Sequence, residues 1–508
     1  MAFAVGESPS VLGGWRVRQV RETLPSLPGG PPALTALEGS WQGWAGSAGI
    51  PVGTPYLISP GLEYDVELNR FFYSADMLCC RITTRLGYAR DLAAFLSFLH
   101  RNRGGRGWRD ATEADHTAYL VWRLFDSSGL RVDGGTWDRE VSSVNSFYQW
   151  QVKRGNVAAN PVPQRARRRA PAGVSGRARG AGGETPATYT HGARTERISW
   201  LPAASYRRWR DIGVRGYGRD GLAEPGFRGR WAARNAAFCD LMVRTGLRLA
   251  EQTALTIFEV PLDRSIAGYV KFWLPPAIAK GGSARWVYVP ASVVADLAAY
   301  TEIDRRDVIA AAQAAGRYGR TGRTVLVADS ERPVAREYGA GQGAPVKISQ
   351  LSAGERRRLF VEGPGGLEPA AFWLSEDGQP VSVSTWKNMF AKANARCARH
   401  GARLQAHAHL LRHTFAVLTL EQLQRGHIAN LAELNPEQRG HYTRVFGDPL
   451  DWVRRRLGHA SITTTQIYLH TLEELEMETR MALVPDDWED PRDTPPGELA
   501  DDARPGPA

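Results

Sequence analysis

The chain has 508 residues, 43% of them hydrophobic, with 64 Lys and Arg against 53 Asp and Glu. This length supports two or three domains with sizeable cores, and the composition excludes global disorder. The net charge of +11 favours an anionic partner such as nucleic acid, although a GC-rich genome with abundant Arg codons gives the same excess.

The four cysteines have neither CxxC pairing nor metal-ligand spacing, so we expect reduced thiols and no bound metal or cofactor. The N-terminus lacks a basic segment followed by an apolar stretch, and no apolar run is long enough to span a bilayer. These features favour a cytoplasmic, nucleoid-associated protein.

The first part of the chain changes character near residue 65. Residues 1–65 are rich in Gly, Pro and Trp and are interpreted as an N-terminal extension. Residues 66–162 have helical periodicity, with Thr84 predicted to cap the first helix, a second helix in ATEADHTAYLVWRLF, and a third from Thr136 that ends before Gly155. This pattern predicts a small helical bundle.

Residues 163–198 combine Gly, Ala, Pro and Arg without apolar periodicity, which predicts a basic flexible linker. Its cluster of arginines is a candidate contact with a DNA backbone. The alternative is a solvated basic tether. The candidate residues are Arg165, Arg167, Arg168 and Arg169.

Residues 199–484 form the second predicted domain, with a helix in RNAAFCDLMVRTG that ends at Gly246. The stretch VKFWLPPAIAKGGSARWVYVP predicts two strands joined by a turn. A polar stretch at about 300–380 is interpreted as an insertion, and the acidic tail at 485–508 as disordered. The expected fold class is therefore mainly α with a small β-sheet, an α+β fold.

Four segments of this second domain carry candidate chemistry, and their order is as informative as their content. Cleavage of a phosphodiester without a metal needs a nucleophile, fixed cations for the non-bridging oxygens, and an acid for the leaving oxygen. The segments are TGLRLAEQTAL with Arg248 and Glu251, AKGGSARWVYVP with Lys280, HLLRHTFA with His409 and Arg412, and LGHASITTTQIYLH with His459 and Tyr468.

Each of these residues has an ordinary structural interpretation when it is taken alone. An Arg at a helix start is usually a surface residue, a Lys in a Gly-rich turn is usually solvated, and a Tyr in TTQIYLH is usually half-buried core. Four segments in one order, each supplying the residue type that the chemistry needs, favour the catalytic interpretation.

These segments resemble the conserved boxes of the tyrosine recombinase family. The resemblance implies that Tyr468 attacks DNA and forms a 3′-phosphotyrosine without metal or ATP. It also implies structural roles for Glu251 and His413, double-stranded DNA recombination sites as substrate, a homotetramer on DNA and a directionality factor as a further partner. The implied catalytic residues are Arg248, Lys280, His409, Arg412, His459 and Tyr468.

The helical segment at 66–162 resembles the family's SAM-like core-binding domain, through TTRLGYARDLAAFLSFL and VNSFYQWQVKRGNVAANPV. The chain is similar to the large integrases of actinobacterial mobile elements, which implies integration and excision. Two alternatives stay open. One is a catalytically inactive or regulatory DNA-binding protein, against which the intact residue set argues, and the other is DNA relaxation like that of a type IB topoisomerase.

Overall fold

The computed structural model describes most of the chain, and it divides by its contacts into two compact units, Met1–Glu196 and Arg197–Ala508. For residues 425–432 the structure describes the backbone but not the side chains. The described residues are 13–21, 41, 43–45, 47–166, 184–190, 198–319, 324–327, 333–337, 345–432, 448–459, 465–466 and 468–469.

The first unit is a helical bundle whose helices begin at recognisable caps. Helix α4, Glu113–Leu124, begins with a capping box between Thr112 and Asp115, and Asp133 accepts from the Thr136 amide where α5, Gly134–Lys153, begins. Helix α3 starts at Ile82, so Thr84 lies in its first turn and does not cap it as predicted. The helices are α1 Val66–Asn69, α2 Ala75–Leu78, α3 Ile82–Asn102, α4 Glu113–Leu124 and α5 Gly134–Lys153.

An aromatic core holds α3, α4 and α5 together. Phe95, Trp137 and Phe147 have no exposed surface, and the rings of Phe95 and Tyr119 meet edge to face at 5.2 Å. Truncation of such a ring in a packed core costs about 3–5 kcal/mol. The bundle therefore has a core of its own.

Part of the predicted N-terminal extension belongs to this core. Strand β1, Arg16–Gln19, pairs antiparallel with β2, Pro55–Ile58, and Leu57 of β2 is completely buried among the bundle's apolar residues. The structure thus differs from the predicted boundary at residue 65, because the alternating Pro55–Ile58 strand buries one face on the helices.

Two described parts of the predicted linker, 164–166 and 184–190, lie on the first unit. Strand β3, Gln164–Ala166, pairs antiparallel with β4, Glu184–Pro186, and the Thr188 carbonyl accepts a 2.8 Å hydrogen bond from the Trp137 indole. These described residues are paired and anchored, unlike the free linker predicted from composition.

The second unit combines helices with a two-stranded sheet around an extended apolar cluster. That sheet pairs β5, Tyr269–Leu274, with β6, Arg285–Pro290. Helix α7 ends at Gly246 as predicted. The helices are α6 Ala203–Trp209, α7 Ala232–Thr245, α8 Leu249–Thr253, α9 Ala291–Tyr300, α10 Arg306–Ala314, α11 Ala353–Arg356, α12 Val383–Arg399, α13 Ala408–Ala432 and α14 Pro449–Leu457.

The region predicted as an insertion contains a five-stranded sheet of order β11-β10-β7-β8-β9. Strands β7 and β10 run parallel, and the other neighbours are antiparallel. Arg356 fixes this sheet to the unit by an ion pair of 2.8 Å with Glu259, in which the Arg356 side chain is buried. The strands are β7 Val325–Val327, β8 Val334–Glu337, β9 Val346–Lys347, β10 Leu359–Gly363 and β11 Gly366–Pro369.

The prediction of a mainly helical α+β fold is confirmed by this mixture of long helices and small sheets. Within the described ranges, no helix is both long and apolar enough to cross a bilayer. All four cysteines are free thiols, and Cys239 and Cys397 are buried.

Candidate active site

Arg412 lies one turn into helix α13, where it ties three elements together. Its guanidinium is 2% exposed and donates from Nη1 to the Gly246 carbonyl and from Nη2 to the Leu457 carbonyl. These carbonyls lie at the C-terminal ends of α7 and α14, where backbone acceptors lack intrahelical partners and favour a cation. Burial, with the charges of nearby arginines, lowers the pKa of Arg412, which nevertheless stays protonated at neutral pH.

The two helix ends need glycine at these positions. Gly246 and Gly458 have φ of 65° and 63°, in the left-handed region that side chains disfavour. A Cβ on Gly246 would also meet the Phe415 ring at 2.4 Å. Glycine therefore allows both chain reversals that place carbonyls around Arg412.

Glu251 of helix α8 organises a second group of cations. It is 1% exposed and accepts hydrogen bonds from Arg248 Nη1 at 3.0 Å and Arg285 Nη2 at 2.6 Å. It also accepts at 3.1 Å from the Lys280 backbone amide. One carboxylate thus connects the start of α8, strand β6 and the loop between β5 and β6.

The charge of Glu251 is maintained by these partners. Burial alone raises the pKa of a carboxyl group, but the charge and hydrogen bonds of Arg285, with those of Arg248, hold the pKa of Glu251 at about 2. Glu251 therefore stays ionised and fixes two arginines beside the site.

Lys280 lies in the loop that joins β5 and β6, as the sequence predicts. Gly281 and Gly282 have φ of 65° and 70° and close the turn that follows it. The preceding Ala279 is completely buried, whereas Lys280 is exposed. The backbone is therefore anchored while the amine remains free to reach outward.

Tyr468 has its hydroxyl group against a histidine of α13. Its side chain is 1% exposed, and the hydroxyl lies 2.8 Å from His413 Nδ1. Burial raises the pKa of Tyr468 to about 12, while the charges of Arg412 and Arg248 act in the opposite direction. The phenol is therefore protonated at neutral pH in the free protein.

His459 follows the end of α14 and is parallel to the Tyr468 ring, with the centroids 6.5 Å apart. Its Nδ1 lies 3.0 Å from the hydroxyl of Thr465, which is completely buried. Burial, together with the charges of Arg412 and Arg248, lowers the pKa of His459 to about 3. The ring is neutral, and the contact with Thr465 leaves Nε2 for another partner.

His409 and His413 meet edge to face on one side of α13, with ring centroids 4.2 Å apart. Burial and the charge of Arg412 lower the pKa of His409, and burial with His409 and Arg412 lowers that of His413 to about 4. His407, at the start of the helix, accepts a 3.2 Å hydrogen bond from the Leu410 amide. His409 and His413 are therefore neutral at physiological pH.

The structure brings the candidate residues of the second unit into one electrostatically coupled site. Arg248 acts on Arg412 and Tyr468, and Lys280 acts on the pKa of His409. Of the candidate DNA-contacting arginines, Arg165 is exposed on β3 of the first unit. The other three, Arg167, Arg168 and Arg169, lie outside the described residues.

The sequence analysis identified neither Arg285 nor Thr465 as a residue of the site. It also did not predict the contact between His413 and Tyr468. Arg285 is a buried charge within a strand of apolar residues, and this position would have shown that it needs an acidic partner. No pattern in the sequence around Thr465 indicates its contact with His459. His413 was interpreted as structural, whereas its imidazole is in contact with the candidate nucleophile.

Among the described residues, no group of three or more His, Cys, Asp and Glu side chains is arranged to hold a metal ion. The cations of this site are side chains of the chain itself. Arg248 is partly exposed, with 22% of its side-chain surface accessible, so an anion can reach it. The arrangement suits a monoanionic phosphodiester placed between two arginines and a phenol.

Comparison with known proteins matches residues 81–155 to the phage integrase N-terminal SAM-like domain. A stretch of 79 residues, 16% of this chain, is 35% identical to tyrosine recombinase XerC of Lactobacillus delbrueckii subsp. bulgaricus (strain ATCC BAA-365 / Lb-18). Tyrosine recombinase XerC of Xylella fastidiosa (strain M23) is 29% identical over 133 residues, 24% of this chain. The matches span 25% and 37% of the lengths of these relatives.

Solved structures with a similar chain course include two recombinases with DNA. The XerH site-specific recombinase bound to palindromic difH substrate has 14% identity and a TM-score of 0.43, over 78% of this chain and 79% of that chain. The Tn1549 transposon integrase in complex with a circular intermediate DNA has 12% identity and a TM-score of 0.42, over 81% and 97%. At these values neither structure bears on the chemistry of this chain.

Proposed function

We propose that this chain, which belongs to the tyrosine recombinase and phage integrase family, is a site-specific recombinase that cuts and rejoins double-stranded DNA. The observation that carries the proposal is the position of Tyr468. Its hydroxyl lies on His413, its ring is next to His459, and the charges of Arg412 and Arg248 act on it. A phenol among fixed cations is suited to attack phosphorus.

Two arginines supply the charge stabilisation in this proposal. Arg412 uses two of its five N–H groups on backbone carbonyls, which orients the guanidinium and leaves N–H groups for a phosphate oxygen. Arg248, held by Glu251, binds the second non-bridging oxygen. Cations fixed before the reaction stabilise the developing charge without reorganisation. The proposed reaction therefore requires neither a metal ion nor ATP.

The remaining groups manage protons and orientation. Tyr468 attacks phosphorus and forms a 3′-phosphotyrosine, while Lys280 protonates the leaving 5′ oxygen from its exposed loop. His459 donates from Nε2 to a phosphate oxygen, because Thr465 contacts its Nδ1. His409, which packs on His413, is proposed to share protons with the other groups of the site near neutral pH. The bond energy kept in the phosphotyrosine allows rejoining to a new 5′ end.

The proposed partners are two DNA recombination sites, joined by a homotetramer that exchanges one pair of strands and then the other. We propose that the reaction integrates and excises a mobile element in the cytoplasm and that a directionality factor sets its direction. The net charge of +11 supports the DNA partner.

A nicked suicide substrate tests the proposal directly, because the cleaved strand cannot be rejoined and the covalent adduct accumulates. The wild-type protein is expected to form the adduct, and Tyr468→Phe, which removes only the hydroxyl, is expected to bind DNA and form none. Adduct formation by Tyr468→Phe would rule out this nucleophile. Exchange between two sites, absent for a type IB topoisomerase, separates recombination from relaxation, and a regulatory DNA-binding protein would show neither.

A further inference from the structure

The contact between His413 and Tyr468 has no assigned chemical role. His413 follows Arg412 on helix α13, and its Nδ1 lies 2.8 Å from the Tyr468 hydroxyl in a site from which solvent is largely excluded. His459 is parallel to the Tyr468 ring at 6.5 Å, and His409 packs on His413 itself. His413 is thus the histidine in direct hydrogen-bond contact with the reacting oxygen.

We propose that His413 is the base that takes the phenolic proton of Tyr468 as its oxygen attacks the phosphodiester, and that it returns this proton on rejoining. The inference rests on the proposed function, in which Tyr468 is the nucleophile. His413 is then a catalytic residue, since it touches the reacting atom, and not a structural one.

The Tyr468 oxygen forms a bond to phosphorus, and the bond between phosphorus and the 5′ oxygen breaks. The phenolic proton moves to Nδ1 of His413, and the 5′ oxygen leaves with a proton from Lys280. In the reverse direction a 5′ hydroxyl attacks phosphorus and gives its proton to the neutral Lys280 amine, while the Tyr468 oxygen leaves and takes its proton from the imidazolium of His413.

The direction of the hydrogen bond agrees with this role. Burial, with His409, Arg412 and His407, lowers the pKa of His413 to about 4, so its ring is neutral and carries a free lone pair. Burial raises the pKa of Tyr468 to about 12, so the phenol keeps its proton. The phenol therefore donates to Nδ1 of His413 in the free protein.

Bound DNA would make His413 a stronger base. The groups that face its ring are His409 and Arg412 on its own helix, His407 immediately before that helix, and Tyr468 and His459 beyond α14. A phosphodiester anion between Arg248 and Arg412 offsets the positive charge that disfavours the imidazolium. The base would thus be activated when its substrate is in place, while the nucleophile stays protonated without DNA.

Single-turnover cleavage of the nicked suicide substrate tests this role with His413→Asn. The Asn amide oxygen occupies nearly the position of Nδ1 and can accept the phenolic hydrogen bond, but it cannot take the proton. We expect adduct formation to slow by about 10²-fold or more, the usual contribution of a general base. His400→Ala is the matched control, because His400 lies in the same unit and pairs with Glu224 at 3.4 Å.

Tyr468→difluorotyrosine separates a base from a structural residue. The fluorinated phenol is more acidic than tyrosine and depends less on a base, so in the His413→Asn background it should restore part of the lost rate, while it changes the wild-type rate little. A structural role predicts no rescue. Thermal unfolding and single-site DNA binding of each variant check the fold.

Two results would overturn the inference. One is a His413→Asn rate within about threefold of wild type, and the other is a rate loss that the fluorinated nucleophile leaves unchanged. If His413→Asn does not fold, the pH profile of the cleavage rate tests the inference in the chain that keeps His413. The profile must show the ionisation of a basic group when residue 468 is tyrosine, and it must lack that ionisation when residue 468 is difluorotyrosine. Absence of any adduct with the wild-type protein would instead count against the proposed function.

Discussion

Arg285 donates a 2.6 Å hydrogen bond to Glu251 in an ion pair whose side chains are only 6% and 1% exposed. The pair connects strand β6 to helix α8 and holds Glu251 where it also binds Arg248. A buried pair contributes little by itself, but loss of one partner leaves an uncompensated charge in the interior. The arrangement of the cations therefore depends on Glu251.

Glu251→Gln should lower the free energy of unfolding by about 3–5 kcal/mol at neutral pH, because Arg285 loses its counter-charge. The folded-state pKa of Glu251, about 2, lies below the ordinary 4.5. Its contribution is therefore complete above pH 4.5 and is lost as the pH falls towards 2. Urea unfolding of both proteins at pH 7 and at pH 3 measures this difference.

The control for this substitution is Glu302→Gln, which removes an exposed pair with Arg264. Exposed pairs contribute about 0–1 kcal/mol, so this change should be nearly neutral at both pH values. Equal stabilities for Glu251→Gln and the wild-type protein would show that the Arg285 charge is solvated in solution.

Arg412→Lys should keep a positive charge but lose the planar fork that bridges the Gly246 and Leu457 carbonyls. We expect adduct formation to fall by about 10²-fold or more, with single-site DNA binding reduced only a few-fold. Arg306→Lys provides a control, because the Arg306 side chain is 73% exposed. Undiminished cleavage by Arg412→Lys would mean that charge alone, and not bidentate geometry, is needed.

Replacement of Arg165, Arg167, Arg168 and Arg169 by Ala should flatten the salt dependence of DNA binding. Each lost phosphate contact reduces the slope of log affinity against log salt by about 0.9. The same four positions changed to Lys retain the charge and should keep the wild-type slope. Titrations over a range of salt concentrations measure both variants, and an unchanged slope for the Ala variant would indicate a basic stretch that does not touch DNA.

Truncation before Thr471 should leave binding to a single DNA site nearly intact while it abolishes synapsis of two sites. The segment TLEELEMETRMALV, which lies outside the described residues, places Leu472, Leu475 and Leu483 on one helical face that we expect to dock in a neighbouring protomer. Removal of 485–508 alone is the control. Normal recombination by the shorter protein, or its failure to fold, would assign this apolar face to the chain's own core.

The elements that the sequence predicted well depend on neighbouring residues. Gly246 ends a helix because its left-handed conformation is a local property of glycine. The helix predicted in ATEADHTAYLVWRLF and the second strand predicted in ARWVYVP are equally local. The order of the four segments with candidate residues was likewise visible without coordinates.

The five-stranded sheet was not predicted, because its pairings join distant parts of the chain. Leu359 pairs in parallel with Val325, and no local pattern specifies which strands will meet. For the same reason, composition alone predicts a free linker in the basic stretch after Pro163. Its return to the first unit depends on the pairing of Arg165 with Thr185, two residues separated by many others.

By itself the sequence determined which residue types are available for cleavage, including Tyr468 and two arginines, because reactivity belongs to the side chain. The tertiary structure alone decided that Glu251 pairs with Arg285 and that His413 contacts Tyr468. Both contacts lie between segments that meet only when the core packs. The buried site they form shifts the pKa values of its groups, since charge is costly away from water.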